Sequence, residues 1–295
     1  MTVRSYAVLH GPRSGRGRAA RRGARVVAEL RGERRQVREL EAAGVEQARA
    51  ACRAAVAEGV EVLVVVGGDG LVGLAAAACA HTGTALGVVP SGTGNDNARS
   101  LGIPLRPPAA TRTLLHGIRR RIDLIQVDPP GRLVVGSVPA GIDARIAARA
   151  SGLPRWLGPA VYAAATLPEI PHLRPVPYRL ELDGAVQEVE ALVVASCNMP
   201  VYGGGMRIAP EADPTDGLLD VVVIGAVGAG QALSLLAGVF SGRHTAHPSV
   251  DIARAAQVRV AGPSLVAHGD GEPLTPLPVT CAVVQGAVEV LVPAP

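Results

Sequence analysis

The chain has 295 residues, about twice the ~150 of a typical domain, so two domains or one large domain are expected. Hydrophobic residues make up 48%, charged residues 18% and aromatic residues 2%, which excludes collagen, coiled coil and disorder. All 29 basic residues are arginine. Chemistry that needs a lysine, such as a P-loop lysine or a Schiff base, is therefore excluded.

The charge is unevenly distributed along the chain. The net charge is +4, and 12 of the arginines fall within the first 50 residues, which predicts a positive face on the N-terminal part. The scarcity of aromatic side chains removes the stacking platforms that single-stranded nucleic acids use, so no nucleic-acid partner is predicted. An anionic small ligand or an anionic membrane surface fits this composition better.

Cysteine usage and the N-terminus indicate a cytoplasmic protein. The four cysteines are far apart and form no C-x-x-C pair, which argues against a zinc or redox motif. The first residues lack the apolar segment of a signal peptide. Residues 221–240 carry no charge and are long enough to span a membrane, but a β-branched run, three glycines and a helical spacing predict strand, turn and helix instead.

The first 130 residues alternate between strand and helix patterns, which is typical of a layered α/β domain with a mainly parallel sheet. The predicted strands are 6–10, 60–66 and 85–89, and the predicted helices are 14–30, 46–58 and 71–79. In such sheets, ligands bind beyond the carboxyl ends of the strands.

From about residue 122 the pattern changes to short strands separated by turns, which predicts an antiparallel, sandwich-like β-rich domain. The predicted strands include 122–127, 133–138, 176–182 and 189–196, and a helix is predicted at 156–166. We expect an α/β domain over 1–124, completed by a last strand within 286–295, and a β-rich domain over 125–285.

The strongest local motif is VVVGGDGL at residues 64–71. Glycines after a buried strand let the backbone approach a phosphate, and the next helix offers its N-terminal amides to negative charge. Asp69 would repel phosphates by itself, so it suggests a bridging metal ion or a proton acceptor. The alternative is that Asp69 caps the following helix.

A second loop of the same kind, PSGTGNDNAR, occupies residues 90–99. It contains two of the chain's three asparagines, Asn95 and Asn97, although an Asn-Asp pair is also an ordinary helix cap. A weaker candidate is GPRSGRGRAA at residues 11–20, which lacks the acidic partner of a dinucleotide site and is more plausible as a phosphate-facing turn with Arg13 and Arg16.

Near the C-terminus, AHGDGEP places two carboxylates on either side of a glycine. In extended backbone, Asp270 and Glu272 point to the same side and could share a metal ion or divide acid and base roles. The alternative is a hairpin turn, for which Asp-Gly is a common signal.

Together these motifs resemble the bacterial diacylglycerol kinase family, relatives of sphingosine and ceramide kinases. The resemblance rests on GGDG at 67–70, PSGTGNDNAR at 90–99, YGGGMRIAPEADPTDGLLDVVVI at 202–224 and DGE at 270–272, in this order. It implies ATP-dependent, Mg²⁺-assisted phosphorylation of a lipid hydroxyl by a protein in peripheral contact with the inner face of the membrane. Neither the lipid nor the oligomeric state follows from it, and a homodimer is one alternative.

The resemblance also implies roles for individual residues. The nucleotide would be held by Arg13, Ser14, Gly15, Gly67, Gly68, Asp69, Gly70, Gly92, Thr93 and Asn95. Asp69 and Asp96 would lie near the catalytic magnesium ion, and Asp123 would support that ion through water. Asp270 or Glu272 would be the base, and Asp213, Asp216 and the backbone of Leu218 would form a second, structural metal site.

The chain departs from the family pattern beside its first glycine-rich loop. The usual Thr after GGDG is Leu71, and Gly73 and Leu74 replace a common Asn-Glu pair. Lost phosphate contacts of this kind make a catalytically weak protein that binds ATP or lipid one alternative. NAD kinase, which shares a GGDG loop, is the other.

Overall fold

The structure is a computed structural model that describes residues 5–10, 18–141, 146, 149, 152–153, 160–263 and 265–295. The chain divides into two compact units, Met1–Ile122 with Gly286–Pro295, and Asp123–Gln285. The first unit is α/β and the second is rich in antiparallel strands, which confirms the predicted fold class.

The first unit contains a parallel sheet. Its strands are β1 (Ser5–His10), β2 (Gln36–Leu40), β3 (Val62–Gly67) and β4 (Ala85–Pro90), in the order β2-β1-β3-β4. The C-terminal part of β15 (Val279–Val292) adds a parallel neighbour to β4 through the pair Val290 and Leu86. Every residue of β3 and β4 is buried, because both faces of a parallel sheet are covered.

Strand β2 is absent from the sequence prediction. Its sequence, QVREL, carries two charges in five residues and is largely exposed, so it has no apolar run to reveal it. It extends the sheet by pairing with β1, as a charged edge strand can do without exposing an apolar surface.

Helices connect the strands of the first unit. They are α1 (Arg18–Gly32), α2 (Val45–Ala57), α3 (Asp69–Cys79), α4 (Asp96–Ser100) and α5 (Pro107–His116). Helix α1 contacts α5, and α2 contacts α3, as expected when the crossover from β1 to β2 and the crossover from β2 to β3 run in opposite directions along the sheet. The predicted start of the first helix, at residue 14, lies outside the described residues.

The second unit is built around long antiparallel strands. Its strands are β5 (Ile118–Asp128), which begins in the first unit, β6 (Arg132–Val134), β7 (Ser137–Gly141), β8 (Val176–Leu182), β9 (Ala185–Cys197), β10 (Leu219–Gly225), β11 (Val250–Ala255), β12 (Gln257–Ala261), β13 (Val266–Gly269), β14 (Glu272–Pro276) and the first part of β15. Strand β9 pairs with β7, β8 and β10. Its residues 191–197 are all buried and form the centre of the unit.

The described part of the second unit contains two α-helices. They are α6 (Ala160–Thr166), which is followed by a 3₁₀ turn at Leu167–His172, and α7 (Ala229–Val239). Strand β10 followed by α7 confirms the strand, turn and helix predicted for residues 221–240. No helix in the described part of the chain is both long and apolar enough to cross a membrane. Residues 156–159 of the helix predicted at 156–166 lie outside that part.

The strand predicted at residues 133–138 is wrong as a single element. Strand β6 ends at Val134 and β7 begins at Ser137, so Val135 and Gly136 interrupt the run. The N–H groups of both residues donate to the Asp270 carboxylate instead of a neighbouring strand. A long-range polar contact thus overrides an apolar pattern.

Candidate functional site

Two glycine-rich loops meet at the carboxyl ends of β3 and β4. The strands are in register at Gly67 and Pro90, and the N–H of Ser91 donates to the Gly67 carbonyl at 2.8 Å. A Cβ atom on Gly92 would lie 2.5 Å from the Cα of Gly68, which is closer than any packing allows. The backbones of the GGDG and SGTG loops therefore touch, and the contact requires glycine.

Asp69 joins the two loops through its side chain. It is the first residue of α3, but the cap position is Gly68 and no side chain caps that helix. The Asp69 Oδ1 instead accepts the N–H of Asn97 in the first turn of α4, at 3.0 Å. The interpretation of Asp69 as a cap of its own helix is therefore wrong, and its carboxylate connects one loop to the helix that follows the other.

Asn95 closes the second loop. It adopts a left-handed conformation, with φ 55°, at the cap position of α4. Its Oδ1 accepts the Gly92 N–H at 2.8 Å, and its Nδ2 donates to the Gly92 carbonyl at 3.0 Å. The Arg99 Nε donates to the Gly94 carbonyl at 3.1 Å. Thr93, between Gly92 and Gly94, is exposed.

Two carboxylates face the same space beside Gly94. The Oδ2 atoms of Asp96 and Asp69 lie 3.0 and 3.3 Å from the point that a Cβ atom on Gly94 would occupy. Magnesium is usually held by one or two carboxylates together with phosphate oxygens, so these residues fit such an ion. Among the described residues, no group of three or more His, Cys, Asp or Glu side chains is placed to hold a metal.

Arg22 is a site residue that sequence reasoning missed. It lies on α1, and its guanidinium donates to the Ser91 hydroxyl at 3.0 Å, where the second loop begins. One arginine within an arginine-rich helix carries no distinguishing signal, so only the fold reveals it. The predicted nucleotide residues Arg13, Ser14 and Gly15 lie outside the described residues.

The expectation that Asp270 and Glu272 alternate along extended backbone is wrong. Asp270 and Gly271 have φ values of 49° and 83°, so they form a two-residue turn between β13 and β14. The Asp270 carboxylate is half-buried and accepts the N–H groups of Val135 and Gly136, both at 3.0 Å. Glu272 begins β14 and is exposed.

Asp123 is buried in the second unit, with 2% of its surface exposed. Its Oδ2 accepts the Gly217 N–H at 2.9 Å, and its own N–H donates to the Pro214 carbonyl at 2.7 Å. The structure thus brings Asp123 together with the loop that contains Asp213, Asp216 and Leu218. The role of Asp123 toward a metal ion stays a prediction.

The loop of the predicted structural metal site is already internally bonded. Asp213 accepts the N–H and the hydroxyl of Thr215, at 3.0 and 2.7 Å. Asp216 accepts the Leu218 N–H at 2.9 Å and forms an ion pair with Arg254. The role of Asp213, Asp216 and Leu218 toward a metal ion stays a prediction.

Comparison with known proteins assigns both units to one family. Residues 5–127 match the diacylglycerol kinase catalytic domain, and residues 136–292 match the YegS C-terminal NAD kinase beta sandwich-like domain. A diacylglycerol kinase of Mycobacterium tuberculosis is 38% identical over 291 residues, covering 97% of this chain and 94% of the relative. The chain therefore belongs to the diacylglycerol kinase family of lipid kinase enzymes.

More distant relatives agree with this assignment. A YegS-like lipid kinase of Xanthomonas oryzae is 31% identical over 232 residues, 75% of each chain. The crystal structure of a Bacillus anthracis diacylglycerol kinase superposes with a TM-score of 0.76 at 20% identity, covering 98% of this chain and 96% of the other. At this identity the superposition supports the fold alone.

The contact between the glycine-rich loops yields a test. In Gly92→Ala the new Cβ must push the loops apart, so we expect ATP affinity to fall at least ~10-fold and the melting temperature to drop, since overpacking costs about 1–3 kcal/mol. Gly83→Ala is the matched control, because a Cβ there meets nothing within 4 Å. Calorimetric titration with ATP and Mg²⁺ measures both variants, and wild-type affinity in Gly92→Ala would contradict the account.

Proposed function

We propose that the protein transfers the γ-phosphate of ATP to a hydroxyl group of a diacylglycerol-like or sphingoid lipid. The observation that carries the proposal is the backbone contact of the two glycine-rich loops, with the Asp69 and Asp96 carboxylates facing one space. Family membership supports the same chemistry, since the relatives are named diacylglycerol kinase and lipid kinase.

The glycine-rich loops are the proposed nucleotide site. Glycine allows backbone N–H groups to approach phosphate oxygens closely. In this chain such N–H groups come from Gly67, Gly68, Gly70 and Gly92, so no lysine is needed. Thr93 and Asn95 shape the second loop, and the Arg22 guanidinium adds positive charge where that loop begins. Arg13, Ser14 and Gly15 remain predicted ligands of the nucleotide.

Asp69 and Asp96 are the proposed holders of a magnesium ion. When bound, that ion neutralises negative charge on the phosphates, which is the main requirement of phosphoryl transfer. The Asp69 carboxylate keeps its Oδ1 on the Asn97 N–H, so its Oδ2 is the oxygen directed at the shared space. The bond to Asn97 thus fixes the orientation of this carboxylate.

Asp270 is the proposed general base. In the reaction, the lipid oxygen forms a bond to the γ-phosphorus as the bond to the β,γ-bridging oxygen breaks and ADP leaves. The hydroxyl proton passes to the carboxylate. We favour Asp270 over Glu272 because two backbone N–H groups orient its carboxylate, whereas Glu272 is exposed.

Transfer of ³²P from γ-labelled ATP tests the proposed function. The acceptors are diacylglycerol and a sphingoid base in mixed micelles, with NAD as a soluble comparator for the NAD kinase alternative. We expect labelled lipid with the wild type and a loss of ~100-fold or more in Asp69→Asn, which keeps the hydrogen bond to Asn97 but removes the charge. Glu46→Gln, at a remote exposed carboxylate on α2, should match the wild type.

Two results would contradict the proposal. Labelled NADP without labelled lipid would assign the chain to NAD kinase chemistry. ATP binding with no transfer to any acceptor would mark a catalytically weak protein, in which Leu71, Gly73 and Leu74 mark the lost phosphate contacts.

We also propose that the protein meets its lipid at a membrane surface through α7. Leu233 and Phe240, seven residues apart, are 48% and 38% exposed, and α7 carries no charged residue. Exposed arginines lie where this helix ends: Arg243 follows it, and the Arg207 N–H donates to the Val239 carbonyl at 2.9 Å. An apolar face with a basic rim fits a bilayer that contains anionic lipid.

The arginine-rich helix α1 fits this membrane role less well. Two of its exposed arginines already have acidic partners, since Arg25 pairs with Glu29 and Arg31 pairs with Glu39. We place the contact on the cytoplasmic side, because the four cysteines are free and buried, as in proteins of a reducing compartment.

Sedimentation with phosphatidylglycerol-containing vesicles tests the proposed membrane contact. Each apolar side chain that enters the bilayer contributes about 1.5–3 kcal/mol, so the double variant Leu233→Gln, Phe240→Gln should bind at least ~10-fold less. Val186→Gln is the matched control, because Val186 is also 48% exposed but lies at the start of β9. Equal binding of the double variant and the control would contradict this contact.

A further inference from the structure

Asn198 lies at the centre of a hydrogen-bond network in the second unit. It follows β9 directly and is completely buried, with 0% exposure. Its Nδ2 donates to the carbonyls of Asp123 and Val135, both at 2.9 Å. Its backbone N–H donates to the Gly136 carbonyl, also at 2.9 Å. The Asn198 side chain therefore connects the main chain at Asp123 to the Val135–Gly136 segment, which separates β6 from β7.

The Val135–Gly136 segment bonds to Asn198 through its carbonyls and to the Asp270 carboxylate through its N–H groups. The N–H groups of Val135 and Gly136 donate to Asp270, and the carbonyls of these two residues accept from Asn198. The peptide group between Val135 and Gly136 is thus bonded at both ends, through its carbonyl to the Asn198 side chain and through its N–H to Asp270. A displacement of Asn198 would move the donors that orient Asp270.

A second turn in the same unit shows that Asp270 differs from an ordinary turn residue. Asp183, followed by Gly184, also has a positive φ, 48°, and accepts two successive N–H groups, those of Ala256 and Gln257. The carbonyls of Ala256 and Gln257 accept backbone N–H groups, from Val283 and Asp183. Behind Asp270, in contrast, the carbonyl of Val135 accepts a buried side-chain amide.

Within the described residues, the Asn198 side chain is satisfied on its donor side only. The Asn198 Oδ1 is buried and has no hydrogen-bond partner in the described part of the chain. A buried polar atom without a partner costs about 1–3 kcal/mol of stability. The unpaired Oδ1 therefore offsets part of the stabilisation that the two hydrogen bonds donated by Nδ2 contribute. The two directed donors are therefore what this side chain contributes to the network.

We infer that Asn198 is a positioning residue that fixes the Asp270 carboxylate through the Val135–Gly136 segment. This inference rests on the proposed function, in which Asp270 accepts the lipid proton. Asn198 acts through hydrogen bonds to the backbone, and its effect on the reaction passes through Asp270.

A double-mutant cycle in the kinase assay tests this inference. Asn198→Leu removes the donors while keeping a similar shape, and we expect kcat to fall ~10–100-fold with KM for ATP changed less than ~2-fold. In an Asp270→Asn background the same change should lower kcat less than ~2-fold further, because the group that it orients is already lost. Ser196→Ala, a buried polar change on β9, should match the wild type in both backgrounds.

Equal losses from Asn198→Leu in both backgrounds would overturn the inference, as would an effect on KM for ATP alone. If Asp270→Asn is as active as the wild type, the proposed base is wrong, which is a separate failure. Hydrogen exchange then tests the inferred hydrogen-bond network independently of the identity of the base.

Hydrogen exchange gives a readout that does not depend on activity. In Asn198→Leu the amides of Val135 and Gly136 should exchange at least ~10-fold faster, while those of Ala256 and Gln257 on Asp183 stay unchanged. Unchanged exchange at Val135 and Gly136 would overturn the inference. Equal acceleration at both pairs would also overturn it, because it would show general loosening of the unit.

Discussion

The proposed nucleotide site depends on one close approach, between the backbones of Gly68 and Gly92. A Cβ atom on Gly92 would lie 2.5 Å from the Gly68 Cα and one on Gly68 would lie 3.1 Å from the Gly92 Cα, so the contact requires glycine at position 92 and leaves little room at position 68. The register of β3 and β4 brings the two loops to this point, since Gly67 pairs with Pro90. Burial of both strands on both faces then holds that register.

Polar bonds convert this contact into a defined arrangement of charge. Asp69 reaches from the first loop to the Asn97 N–H, and Asn95 closes the second loop on both polar atoms of Gly92. The missing side chain of Gly94 leaves open the space that the Asp69 and Asp96 carboxylates face. Leu71, which departs from the family pattern, packs its side chain over Gly67.

The sequence predicts the parts of the fold and site that depend on local patterns. The buried strand at 60–66 and its glycines are visible in the apolar run and its abrupt end, and the two loops are predicted to share one edge of the sheet. Strand β2 escapes prediction because its charged sequence pairs only along an edge. The sequence predicts that Asp69 serves a metal ion or a proton, or caps its own helix, whereas its bond to Asn97 depends on a contact 28 residues away.

In the second unit, too, contacts between residues far apart in sequence are not predictable from local patterns. An apolar run predicts one strand at 133–138, but Asp270, more than 130 residues later, binds the two N–H groups that interrupt it. The turn at Asp270 and Gly271 is predictable from its Asp-Gly pair, whereas the partners of its carboxylate are not. Asn198 carries only a weak signal, a single amide after a buried apolar strand, and its role appears only with its partners in place.

The central claim is that the two touching loops form the nucleotide site, and hydrogen exchange with and without MgATP tests it most directly. The account predicts that ATP slows exchange of the amides in residues 67–71 and 91–97, with smaller changes in β8 and β9 of the second unit. Binding of ATP that leaves exchange in both loops unchanged would contradict the claim.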